Sequence, residues 1–126
     1  YVVGYTSSVV GGRQFWLGKF NPDLTMVSSV TTNIPSLGSS DADISFDDIN
    51  QNLFITGATL VAANEHILVA KFSNTLAFQS STTFFNGFNA NRGDAVAANT
   101  VNAVYVVGSV APAPATSNDI WIGKFD

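Results

Sequence analysis

The stretch Phe15-Trp-Leu-Gly-Lys-Phe20 returns in altered form as Ile67-Leu-Val-Ala-Lys-Phe72 and again as Ile120-Trp-Ile-Gly-Lys-Phe125. The lysines Lys19, Lys71 and Lys124 stand 52 and 53 residues apart. Each copy is a short apolar run rich in β-branched and aromatic residues, which reads as a strand in a sheet covered on both faces. Working outward, a second block precedes each lysine: Tyr1-Val-Val-Gly4, Leu53-Phe-Ile-Thr-Gly57 and Val104-Tyr-Val-Val-Gly108, with final glycines 53 and 51 residues apart. Two weaker blocks keep step, since Leu24 to Ser28 lies 52 residues before Leu76 to Ser80, and Asp43-Ile-Ser-Phe lies 51 before Asp94-Ala-Val-Ala. The period is about 52, and each unit holds four strand candidates. The units span residues 1–52, 53–103 and, in part, 104–126.

The strand reading also rests on alternation, as in Met26, Ser28, Val30 against Val27, Ser29, Thr31. No helix is expected. Turns are expected at Asn21-Pro22-Asp23, where proline presets φ, at Gly11-Gly12, which permit positive φ, and from Asp48 to Asn52, whose side chains offer local caps. Length varies most between the glycine-ended and lysine-bearing strands, where the third copy carries Ala111-Pro-Ala-Pro-Ala115. That loop is expected to be exposed and expendable.

Four short antiparallel strands at a period of roughly 40 to 50 residues are the sequence form of a β-propeller blade. The chain is therefore expected to be all-β, a single domain of propeller-type blades. Gly18, Ala70 and Gly123 keep one recurring position small, as close packing between neighbouring sheets would require. A competing architecture is a two-sheet sandwich of ten strands, which would need no partner.

At these residues the chain resembles a known family, the bacterial seven-bladed β-propeller repeat. That pattern runs roughly Asp-x-Phe-Val-Ala-Lys-Leu, then Asn-Pro-Asp-Gly, then an Asp-led strand, then Asn-x-Tyr-Val-Thr-Gly. Asp119 to Phe125, Asn21 to Leu24 and Asn52 to Gly57 look like those segments. The chain departs from the pattern at Leu24, which replaces the turn glycine, and at Gln14 and His66, which stand where Asp119 does. The resemblance implies an extracellular or cell-surface scaffold without assigned catalytic residues. Resemblance to other propellers also implies that the Asp-led strand is innermost, which divides ten strands as three, four and three. Since a closed propeller takes about 4 to 8 blades, the chain cannot close alone. Its partners are expected to be further blades of the same polypeptide or other copies of itself.

Composition narrows the function further. Charged residues are only 11%, against about 25% in an ordinary domain, and the net charge is −4 with a pI near 4.5. Such a surface offers phosphate backbones no basic stripe, so nucleic acid is not an expected partner. Cysteine is absent, which removes disulfides and thiolate chemistry. The apolar stretch from Leu53 to Ala63 is interrupted by Thr56, Gly57 and Thr59 and falls short of the ~18 residues of a membrane span. The start at Tyr-Val-Val-Gly, without Met, suggests that any targeting segment is removed or lies outside this sequence.

Few residues suggest chemistry. Trp16 and Trp121 are candidate platforms for sugar rings, although Leu68 at the corresponding place favours packing. Arg92-Gly-Asp94 matches an integrin-binding tripeptide, but Asp94 is already accounted for as the repeat partner of Asp43. Asp41, Asp43, Asp47 and Asp48 could hold Ca²⁺ through oxygen, yet the second copy has Ala98 and Asn99 at the last two places. His66 and Glu65 lack a nucleophile-elbow motif around them. Asp43 and Asp94 would be the acids of a glycosidase, and repeat equivalence favours a structural role for them. No phosphate loop and no Asn-x-Ser/Thr acceptor occurs. The expectation is a non-enzymatic scaffold with no cofactor and no metal, which self-assembles or packs with further blades. The alternative is a carbohydrate-binding, lectin-like module using Trp16 or Trp121.

Overall fold

The computed structural model describes residues 1–8, 12–36, 42–87, 90–99, 103–111 and 117–126. Among them no helix occurs. Ten strands run in chain order: β1 (Val2–Ser8), β2 (Gly12–Phe20), β3 (Met26–Ser36), β4 (Asp43–Asp47), β5 (Asn52–Val61), β6 (Asn64–Ser73), β7 (Phe78–Phe84), β8 (Asn91–Ala98), β9 (Val104–Val110) and β10 (Asp119–Phe125). Every pairing is antiparallel between chain neighbours, and it breaks between β3 and β4 and between β7 and β8. The result is a first sheet β1-β2-β3, a middle sheet β4-β5-β6-β7 and a third sheet β8-β9-β10. The two-sheet sandwich is therefore replaced by three sheets.

One register recurs in all three. Gly4 pairs with Trp16, Gly57 with Leu68 and Gly108 with Trp121. Directly opposed residues share a face, and alternate residues along a strand take opposite faces. Leu68, Ala70 and Phe72 of β6, with Leu53 of β5 beside them, thus face the first sheet, where they pack with Phe15 and Leu17. Ile67 and Val69 point the other way and pack with Val96, Val104 and Val106 of the third sheet. The unbroken apolar run of β6 follows from this double burial, each fully buried side chain contributing about 1.5–3 kcal/mol.

The small residues at positions 18 and 123 have a different cause from the one expected. A Cβ on Gly18 would strike Cη2 of Trp16, and one on Gly123 would strike Cη2 of Trp121. The indole two residues earlier folds down over the glycine on its own strand. Where leucine replaces tryptophan, at Leu68, the overhang is gone and Ala70 is accommodated, itself buried.

Turn chemistry explains Leu24. The β2–β3 turn is closed by Leu24 N donating to Asn21 O and Asn21 N donating to Thr25 O, both at 2.9 Å. The β6–β7 turn repeats this with Leu76 N to Ser73 O at 3.0 Å and Ser73 N to Ala77 O at 2.9 Å. Both leucines have φ of 66°, the left-handed region that suits glycine and costs other residues about 1–2 kcal/mol. For Leu76, burial against the first sheet offsets the strain by about 1.5–3 kcal/mol. Leu24 is 80% exposed, against 5% for Leu76, and has no such offset within the chain.

Other turns also depart from expectation. The β5–β6 hairpin turns at Ala62 and Ala63, with φ of 49° and 69°, although neither is a usual residue for a two-residue turn of this kind. Asp47, one residue before the expected segment, caps the β4–β5 turn by accepting from Ile49 N at 3.1 Å, Asn50 N at 3.2 Å and Asn50 Nδ2 at 2.7 Å. Gly11 lies outside the described residues, and Gly12 opens β2 opposite Ser8. Ala111 is buried rather than exposed, its N donating to Ala90 O at 2.8 Å. Residues 112–116 lie outside the described set.

Candidate functional site

The two tryptophans occupy matching positions but different surroundings. Trp121 faces the middle sheet, its ring stacked on Phe84 of β7 with centroids 4.7 Å apart, and it is half-buried. Phe125 lies at 6.2 Å on the same strand. Trp16 alternates with Phe15 and Leu17, so it points away from the middle sheet, touching Phe20 edge-on at 6.4 Å. Sheet-to-sheet packing therefore uses the indole of Trp121, while Trp16 belongs to an outer face.

The acidic group divides its tasks. Asp41 lies outside the described residues. Asp43 Oδ2 accepts from Val96 N at 2.9 Å, and Ser45 Oγ accepts from Ala98 N at 3.0 Å, so β4 side chains tie the middle sheet to the backbone of β8. Asp47 closes its turn, and the Asn50 amide, with a lesser contribution from the Lys71 charge, holds its carboxyl below the ordinary value. Asp48 and Asp94 are exposed. Among the described residues no three potential ligands gather to hold a metal ion.

Glu65 of β6 meets Asn91 and Arg92 of β8, the strand that carries the Arg-Gly-Asp tripeptide. Glu65 Oε2 lies 3.5 Å from Arg92 Nε, and Glu65 O accepts from Asn91 Nδ2 at 2.9 Å. His66 stacks on Phe85 at 4.6 Å with its ring nearly parallel. The tripeptide lies in β8 rather than at a loop tip: Gly93 is buried, and a Cβ there would strike Thr56 Oγ1. These residues read as packing and strand-tying groups.

A cleft of about 500 Å³ opens between the middle and third sheets, lined by Asp47, Phe54, Lys71, Thr82, Phe125 and Asp126. Lys71 Nζ sits 5.7 Å from the Phe54 ring centroid. The corresponding cation at the first interface, Lys19, sits 5.5 Å from the Tyr1 ring. There the β6–β7 turn closes the gap, since Asn74 O accepts from Lys19 Nζ at 3.2 Å and from Tyr1 OH at 3.3 Å.

The most distinctive surfaces are the two ends of the stack. Pairing places Val107 opposite Ile122 and Tyr105 opposite Lys124 on the outer face of the third sheet. Ile120 is 83% exposed and Ile122 70%, whereas the corresponding Ile67 and Val69 are 0% and 6%. On the outer face of the first sheet Val2 lies opposite Gly18, beside Trp16 and Phe20. Contiguous apolar surface of this kind marks an interaction site. Sequence reasoning expected uncovered sheet surface without placing Ile120, Ile122 or Leu24 in it. The signal available was the match of Ile120 and Ile122 to Phe15 and Leu17.

No protein-family model and no curated protein matches the sequence. What stands is an all-β chain of three small antiparallel sheets, and no helix among its described residues is long and apolar enough to cross a membrane.

Proposed function

We propose that the chain is a non-enzymatic structural scaffold of propeller-type blades, whose task is to pack with further sheets of its own kind in an extracellular or cell-surface setting. One observation carries this reading. Positions buried where sheets meet inside the chain are exposed at its two ends, Ile122 being 70% exposed where Val69 is 6%. Leaving such a surface in water forgoes about 25 cal/mol for each Å² of apolar area. The setting follows from the resemblance to the bacterial repeat family. A carbohydrate-binding role has less support, because Phe84 already occupies a face of the Trp121 ring.

Sedimentation velocity over a range of concentrations tests the reading. The purified chain is expected to run above its 13.3 kDa mass, increasingly so with concentration, and to lose this in Ile122→Lys. A particle of one chain mass throughout contradicts it. Glycan-array binding abolished by Trp16→Ala, with oligomeric state unchanged, favours the carbohydrate role instead.

A further inference from the structure

We propose that a second copy of this chain docks head to tail, the outer face of its first sheet covering the outer face of the third sheet, with its Asn21–Leu24 turn seated against Tyr105 and Lys124. The proposal rests on the scaffold reading and adds to it the partner, the polarity and the contacting residues.

The first argument is continuity with an interface the chain forms twice. At the first junction, Phe15 and Leu17 meet Ile55, Leu68 and Phe72. At the second, Ile67 and Val69 meet Val106, Trp121 and Phe125. Ile120 and Ile122 stand in the register of Phe15 and Leu17, opposite Ser109 and Val107, and Val2, Trp16 and Phe20 stand in that of Val106, Trp121 and Phe125. The two halves of a third such junction are thus present on one chain, at opposite ends of its stack. A second copy of the chain, docked end to end, brings them together. Because the two faces differ, the contact is heterologous, and repetition gives a closed ring or an open filament.

Leu24 supplies the second argument. It shares the strained φ of 66° and the turn hydrogen bonds of Leu76, yet it remains 80% exposed. A leucine in the left-handed region is accounted for at Leu76 by burial against the preceding sheet. The third sheet of a second copy would give Leu24 the same burial.

The third argument concerns the polar rim. Tyr1 OH and Lys19 Nζ both donate to Asn74 O, in the β6–β7 turn. Asn74 stands two residues before Leu76, and Pro22 stands two before Leu24. Tyr105 and Lys124, paired across β9 and β10, are placed to donate to Pro22 O of the second copy. Lys124 does so by leaving its exposed ion pair with Asp126, 2.9 Å long here.

Complementation separates head-to-tail docking from other modes. Leu24→Asp blocks one face and Ile122→Lys the other, and both sites are exposed, so neither change disturbs the internal core. Each variant alone is expected to be a single chain at concentrations where the unaltered protein assembles, the affinity falling about 30-fold or more. Mixed together, they are expected to form a 1:1 heterodimer and nothing larger, through the one intact pair of faces. Ile120→Lys in place of Ile122→Lys must give the same result, and circular dichroism must show that each variant is folded. If each variant dimerises by itself, like faces pair with like, and the head-to-tail arrangement is overturned while the scaffold reading stands. Folded variants that fail to complement also overturn it. An unaltered chain that never associates removes both.

Discussion

Replacing Gly123 by alanine should destabilise the chain, and replacing Trp121 by leucine at the same time should abolish that effect. An added Cβ at Gly123 would overlap Cη2 of Trp121, the far end of a rigid bicyclic ring. The indole must lift, which disturbs its stack on Phe84 at 4.7 Å. Overpacking of this kind costs about 1–3 kcal/mol, and the lost aromatic pair adds about 0.5–1.5 kcal/mol. Alanine returns about 0.5–1 kcal/mol over glycine within a strand, so Gly123→Ala should lose about 1–3 kcal/mol net. Trp121→Leu alone sacrifices packing, but in its presence the alanine meets no obstacle, as Leu68 and Ala70 coexist in the middle sheet. Urea unfolding of the four proteins gives a double-mutant cycle with an expected coupling of about 1–3 kcal/mol favouring the double variant. Additivity within about 0.5 kcal/mol would refute the overhang as the reason for glycine at this position.

Further outcomes follow from the turns and the carboxylates. Leu24→Gly is expected to stabilise the isolated chain by about 1 kcal/mol through relief of backbone strain, while Leu76→Gly, which also loses a buried side chain, should cost about 1–3 kcal/mol net; denaturant midpoints check both. Ala62→Asn with Ala63→Gly supplies residues suited to the left-handed conformations of that hairpin and should add about 1–2 kcal/mol, read as a higher thermal midpoint. Asp23 and Asp47 have carboxyls held below the ordinary 3.8 by hydrogen bonds, from Thr25 and from Asn50 respectively. Their contribution to stability is complete above that value and is lost as pH falls through the lower folded-state value. Thermal midpoints should therefore drop on acidification, less steeply in Asp47→Asn; an unchanged slope would contradict the assigned hydrogen bonds.

Much of the architecture was legible because the informative residues repeat. Lysine in an apolar run and glycine at a strand end marked β1, β2, β5, β6, β9 and β10, and the resemblance to other propellers implied a division of the ten strands as three, four and three. The details that escaped depend on neighbours a sequence does not display. Glycine at 18 and 123 reads as room for another sheet, when the occupant is a tryptophan of the same strand. Ala62 and Ala63 give no turn signal, since the ladder from Val61↔Asn64 to Asn52↔Ser73 imposes their conformation. Asp43 was expected to lead a strand, but its hydrogen bond to Val96 N spans 53 residues. Leu24 was legible as a missing turn glycine. Only its contrast with the buried Leu76 shows that the strain at Leu24 has no offset among the described residues.

The central claim, that the end faces of the stack are covered by further protein, is tested most directly by methyl NMR with a soluble paramagnetic probe. At assembling concentrations the methyl groups of Ile120 and Ile122 should be as protected as those of Ile55 and Ile67, although they are 83% and 70% exposed in the isolated chain. Strong relaxation of Ile120 and Ile122 at every concentration, beside protected Ile55 and Ile67, would contradict the account.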